Sequence, residues 1–224
     1  MSSPAPPPDV PPPAPPRRGN PLVRHLVLGL LLAGVFAVVG VVLVPSPKGD
    51  APKASVAVPL GTVVDFTLDK PAPLSLASLR GQVVLLYFGY TSCPDVCPTS
   101  LTALAAGLAQ LSEAELAQVT PVFVSVDPER DVPSRLAEYA TFFHPRFRAA
   151  TGTPAQVAAA AKPFGVVYHK VYAARGGGDY SVDHSALTYV IDPAGRLVEK
   201  LPHGAPAADV AAAVRRHLPP PAAL

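Results

Sequence analysis

Residues 82–89, "QVVLLYFG", form an unbroken apolar run of strand length, and "TPVFVSVD" at 120–127 is a second such run. A strand without a polar face has to be covered on both sides, which calls for a central sheet with helices packed over it. The rest of the chain supplies suitable partners. "TSLTALAAGLAQL" sets Leu101, Leu104, Leu108 and Leu111 at helical spacing. "VPSRLAEYATFF" predicts a second helix with Pro133 near its start. "TPAQVAAAAKPFG" predicts a third, and "PAADVAAAVRRHL" a closing one with Arg215, Arg216 and His217 in its last turn. Further strands are expected at "VVDFTL", near "LSLASL", at "VVYHKVY", and at "SALTYVID" and "GRLVEKL" around the turn "DPAG". Strands alternating with helices imply an α/β layer with right-handed crossovers. No internal repeat is visible.

The N-terminal part has a different character. Residues 1–25 open with the proline-dense "MSSPAPPPDVPPPAPP", which has few backbone donors and little to bury, so a solvated tail is expected. Residues 26–44, "LVLGLLLAGVFAVVGVVLV", carry no charge. At about 1.5 Å per residue such a run spans roughly 28 Å as a helix, enough to cross a bilayer. Arg17, Arg18 and Arg24 precede it, which leaves the N-terminus on the cytoplasmic side. The run exceeds a signal-peptide core, and "PSPKGD" follows in place of a small-residue cleavage site. One uncleaved transmembrane helix is therefore expected, followed by a tether at 45–60, a folded domain at 61–217 and a short tail at 218–224. The absence of an Arg-rich, Ser-rich amphipathic presequence favours a bacterial inner membrane, with the domain facing the periplasm or extracytoplasmic space.

In that setting thiols oxidise unless they are kept reduced or bound to metal. The chain has two cysteines among 224 residues, both in "YTSCPDVCP". Composition bears on them only by exclusion: a net charge of +2 is too small to argue for nucleic acid, and two cysteines make no disulfide scaffold. Cys93 leaves the central strand and Cys97 is expected at or near a helix N-cap, with Pro98 in the first helical position. Backbone donors and the helix dipole there favour a thiolate. Residues at i and i+4 share a helix face, so both sulfurs can point to one spot. A structural disulfide, a redox dithiol and a metal site all remain open on this spacing, although so short a disulfide loop contributes little stability. A peroxidase signature is missing, because Leu86 and Tyr90 precede Cys93, and Tyr90 and Pro94 precede Cys97, where Pro and Thr are wanted.

A metal site needs more than two thiolates. His25 belongs to the membrane flank, His144 and His217 to helix ends, His169 to a strand and His203 to a loop. His184, in "DYSVDHSALTYVID", directly precedes a strand, after the Gly-rich loop "AARGGGDY" that would let it move. Loops at one rim of an α/β sheet come together, and that rim is the one expected to hold the cysteines. Two thiolates and an imidazole suit copper, since thiolate is soft and imidazole accepts either copper state. Structural zinc wants four protein ligands, and the chain has no third cysteine.

Taken together, "YFGYTSCPDVCPTSL", "SVDPERD", "FFHPRF" and "DYSVDHSALTYVIDPAGRL" resemble the Sco/SenC family of copper-handling membrane proteins. The resemblance runs from about 61 to 217. It implies a thioredoxin-like, three-layer fold with a central mixed sheet behind one N-terminal transmembrane helix. It also implies copper held by Cys93, Cys97 and His184, received from an upstream donor and delivered to the binuclear copper centre of cytochrome c oxidase subunit II. Asp183 is then expected to orient His184 or meet a partner, and Asp127 to cap or pair locally behind the site. The alternative is an extracytoplasmic thiol–disulfide oxidoreductase using the same cysteines to keep the oxidase copper-site thiols reduced. No proline leads into "ALTYVID", where thioredoxin-type enzymes carry one facing the dithiol.

Overall fold

In a computed structural model, residues 57–172 and 179–219 are described. The proline-rich tail, the apolar run 26–44 and most of the Gly-rich loop before His184 lie outside the described residues. The chain passes through β1 (Thr67–Leu68), β2 (Leu74–Ser75), β3 (Val83–Gly89), α1 (Val96–Leu108), α2 (Glu113–Leu116) and β4 (Val119–Ser125). It continues through α3 (Pro133–Phe143), β5 (Arg148–Ala150), α4 (Pro154–Ala161), β6 (Tyr168–Tyr172) and β7 (Tyr180–His184). β8 (Thr188–Ile191), β9 (Leu197–Leu201) and α5 (Ala207–His217) complete it. Among the described residues no helix is long and apolar enough to cross a membrane.

The two apolar runs are the middle of a five-stranded mixed sheet in the order β5-β4-β3-β8-β9. Every residue of β3 and β4 is buried, as strands without a polar face require. They pair in parallel from Val83↔Val119 to Gly89↔Ser125, while β8 lies antiparallel on the other side, from Val84↔Ile191 to Tyr87↔Thr188. Successive side chains of β3 point to opposite faces. Tyr87 stacks on Phe123 at 6.4 Å, which meets Tyr139 of α3, whereas Phe88 packs on Phe164 and Tyr189. The result is an α/β fold with helical cover on both sides of a mixed sheet.

Local chemistry sets the helix starts. Ser112 with Glu115, and Thr153 with Gln156, form reciprocal capping boxes, and Pro133 and Pro154 occupy first turns. Several expectations need correction. "VVDFTL" contributes only Thr67–Leu68 as strand, because the Asp65 carboxylate accepts the N–H groups of Phe66 and Ala77 and pins the segment through a side chain. "LSLASL" holds a two-residue strand and then a 3-10 turn, Leu76–Leu79, whose Ala77 N–H donates to Ser75 Oγ. Residues 57–60, read as the end of a tether, already meet the domain: Val58 N–H donates to Pro163 O at 2.9 Å. Neither β5 nor β7 is among the expected strands, and His184, expected just ahead of a strand, is the last residue of β7. β5 is a three-residue edge strand, and β7 pairs with β6 in a separate two-stranded sheet.

Helix α1 carries the site at its first turn and packs along α5 at its far end. Gly107 makes this approach possible, since a Cβ there would lie 2.5 Å from Val210 Cβ. Alanine would gain about 1 kcal/mol of helix propensity but force the two helices apart, an overpacking cost of about 1–3 kcal/mol. Gly107→Ala should therefore leave the protein less stable than the parent, as read from urea unfolding midpoints; an unchanged or higher midpoint would show that the α1–α5 contact yields easily.

Candidate metal centre

Helix α1 begins at Val96, with Asp95 as N-cap, so Cys97 is the second helical residue and Pro98 the third. Cys97 thus lies near the N-cap, as expected, while Pro98 falls two positions after the first helical position expected for it. The cost to Pro98 is nil, because N–H groups throughout a first turn lack intrahelical acceptors. The free N–H of Cys97 instead donates to Cys93 Sγ at 3.5 Å. Cys97 is fully buried and Cys93 is 8% exposed. Both are free thiols.

Space for Cys97 is provided by Gly89 at the end of β3. A Cβ at that position would lie 2.7 Å from Cys97 Sγ and 3.0 Å from Phe123 Cε2. Asp131, also fully buried, braces the loop between strand and helix. Its carboxylate accepts Thr91 N–H at 3.0 Å, Thr91 Oγ1–H at 2.6 Å and Ser125 Oγ–H at 2.5 Å. Neither residue stood out in the sequence. The signal for Asp131 was a second aspartate in "SVDPERD", four residues after Asp127 on the turn that leaves the same strand.

His184 reaches this spot from β7. Its Nε2 lies 3.2 Å from Cys97 Sγ, and one ligand atom from each of Cys93, Cys97 and His184 falls within 4.8 Å of the others. The ring stands edge-on to Tyr87 at 6.2 Å and to Tyr90 at 5.8 Å. Its Nδ1 meets Ser185 O at 3.1 Å. A carbonyl only accepts, so in neutral imidazole Nδ1 carries the proton and Nε2 turns its lone pair to the sulfurs. The sequence left the orientation of His184 to Asp183. Asp183 instead faces away, 3.6 Å from His169 across the hairpin, and the Ser185 backbone carbonyl takes that role. Asp127 is buried and pairs with Arg130 and Tyr180, so it braces the site without touching it. Among the other histidines, His144 Nδ1 accepts Arg146 N–H, His203 bonds Ser100 and His217 pairs with Glu199.

The two thiols share charge unequally. The Cys97 thiol donating to its sulfur, helped by the N–H groups of Asp95 and Cys97, draws Cys93 down to about 4. The hydrogen bond that the Cys97 thiol gives to Cys93, reinforced by burial, pushes Cys97 well above the ordinary thiol range. The pair thus loses one proton readily and holds the second. A soft cation that displaces this second proton would meet two sulfurs and the Nε2 lone pair. A cavity of about 330 Å³, lined by Tyr90, Cys93, Pro94, Val182 and His184 among others, opens the site on one side.

These shifts have opposite signs in folding. In the unfolded chain both thiols titrate near 9.0. Between about pH 4 and 9 the native state binds fewer protons at Cys93, so stability rises with pH; above 9 it retains the Cys97 proton, so stability falls. The reduced, metal-free protein compared with its Cys93→Ser/Cys97→Ser variant should show an unfolding-midpoint difference that peaks near pH 9, and a flat difference would refute the shared charge. Gly89→Ala should displace Cys97 Sγ and weaken metal binding by about tenfold or more, measured by competition with a chelator.

The SCO1/SenC family model matches residues 59–219. The chain is 34% identical over 179 residues to the protein SCO2 of Saccharomyces cerevisiae, covering 79% of this chain and 60% of the relative. It is 40% identical over 157 residues to the mouse SCO2 homologue, covering 69% and 61%. The match therefore spans about three fifths of those relatives. Among solved structures, apo Sco1 from Thermus thermophilus is 41% identical with TM-score 0.65, over 73% of this chain and 95% of that one. ScoI of Bradyrhizobium japonicum, solved with copper bound, is 35% identical with TM-score 0.63, over 70% and 99%. The match takes in both cysteines and His184, and the chain belongs to the SCO1/SenC family.

Proposed function

We propose that this protein is a membrane-anchored copper carrier that holds one ion between Cys93, Cys97 and His184 and hands it to an apo-protein. The observation that carries the reading is the convergence of two sulfurs and an imidazole nitrogen within 4.8 Å, although His184 lies 87 residues from Cys97. Two thiolates and a neutral imidazole cancel Cu(II) and leave one negative charge with Cu(I), so either state is tolerated. Three protein donors beside an open cavity leave room for an incoming ligand, as transfer requires. The copper-bound relatives from B. japonicum and Arabidopsis thaliana support the choice of metal.

The recipient we infer is cytochrome c oxidase subunit II, at its binuclear copper centre. A structural relative, BsSco, 27% identical, is described as a member of the Sco family of cytochrome c oxidase assembly proteins. The uncharged run 26–44 behind Arg17, Arg18 and Arg24 supports a single anchor in a bacterial inner membrane, with the thioredoxin-like domain outside the cytoplasm and supplied by a separate copper donor.

A second reading, thiol–disulfide exchange on the recipient's cysteines, is favoured by the Cys93 thiolate. The two part at His184. Full-length protein should take up about one copper per chain with sulfur-to-copper charge-transfer absorption, lost in Cys93→Ser and Cys97→Ser. His184→Ala should abolish transfer to the apo-recipient while leaving disulfide exchange largely intact. A parent that takes up no copper would end the carrier reading; transfer that survives His184→Ala would shift the balance to redox exchange.

A further inference from the structure

His184 sits on a hairpin that belongs to no main-sheet ladder. β6 and β7 pair with each other, so their hydrogen bonds stiffen the hairpin without setting where it lies over the cysteines. Val182 anchors β7 in the core, and side chains from the turn after β4 tie its first residue. Arg130 Nη1 donates to Tyr180 O at 2.7 Å, Arg130 Nε bonds the buried Asp127 carboxylate, and Tyr180 Oη donates to the other oxygen of that carboxylate at 2.8 Å. The guanidinium also lies 3.7 Å from the Tyr180 ring centroid and 5.6 Å from that of Tyr90, and Tyr90 is the ring against which His184 stands. One cation thus touches both the first residue of β7 and an aromatic wall of the metal site. The other tie from this turn, Lys170 to Glu129, pairs a half-buried amine with an exposed carboxylate and contributes little.

We propose that Arg130, locked by Asp127 and Tyr180, is a positioning residue that registers β7 so that His184 Nε2 faces the two sulfurs, and thereby sets how tightly copper is retained. The inference rests on the copper reading for its consequence and on the hairpin geometry for its cause. Arg130 is suited to this by its fork: one edge meets a carboxylate, another reaches a carbonyl, and its flat face covers a ring, which lysine does not reproduce.

The test uses the full chain. Arg130→Met should weaken copper retention by about 10–100-fold in chelator competition, in line with loss of a group supporting a ligand. Arg130→Lys should recover only a part of it. Tyr180→Phe removes one oxygen and should cost roughly fivefold, the worth of one hydrogen bond, and it carries the test if Arg130→Met fails to fold. In a His184→Ala background the Arg130 and Tyr180 changes should add nothing, because the imidazole they position is gone. An equal loss in both backgrounds, or no loss in either, would overturn the proposal. Metal-free protein gives an independent readout: the proton–proton contact between the His184 and Tyr90 rings, seen by NMR, should vanish in Arg130→Met. Its persistence would overturn the positioning role even with copper binding established, whereas a parent with the contact but no copper uptake would sink only the carrier reading.

Discussion

The site exists because β8 runs antiparallel beside β3. β3 ends at the rim with Gly89, and β8 starts at the same rim, Thr188 opposite Tyr87. Anything just ahead of β8 in the chain is thereby delivered to the loop that follows β3. His184 is four residues ahead of Thr188, and Cys93 is four residues beyond Gly89. Closing so long a loop has an entropic cost that grows only slowly with length, and the buried pairing of β3 with β8 offsets it. The core thus brings the three side chains to one rim, and the hairpin sets the final position of His184.

Around that rim the protein arranges a buried charge with care. A thiolate at Cys93 is held by backbone N–H groups of the first helical turn and by the neighbouring thiol, while the protonated Cys97 lies deepest. The imidazole is fixed in one tautomer by a backbone carbonyl, which neither titrates nor adds charge. A carboxylate in that place would have added a second negative charge beside two sulfurs. The acids nearby are directed elsewhere: Asp131 into the cysteine loop, Asp127 onto Arg130, and Asp183 outwards to His169.

The supports for the three donors differ in kind. The cysteines are set by elements packed into the core, a strand end and a helix start, with Gly89 giving the sulfur its room. The histidine is set by a hairpin at the margin, tied through side chains. Breaking a core contact should affect the whole fold, whereas loosening the hairpin affects one ligand. On the proposed carrier role, that division would let sulfur hold the ion while one donor lets go.

The sequence by itself determined the layered α/β architecture, because β3 and β4 have no polar residue face and leucines recur along α1 at helical spacing. It also singled out Cys93, Cys97 and His184, which the fold brings together, since two cysteines four positions apart sit at a strand–helix junction and His184 lies just before another apolar strand. Pattern alone could not resolve β7, whose residues alternate weakly, or the shortened β1, where the Asp65 side chain replaces a ladder. Only the tertiary structure decided that Ser185 and not Asp183 orients the imidazole, and that Gly89 and Asp131 shape the pocket around the thiols. Periodicity reports which way a residue faces relative to its own element; which group stands opposite depends on the packing of elements far apart in the chain.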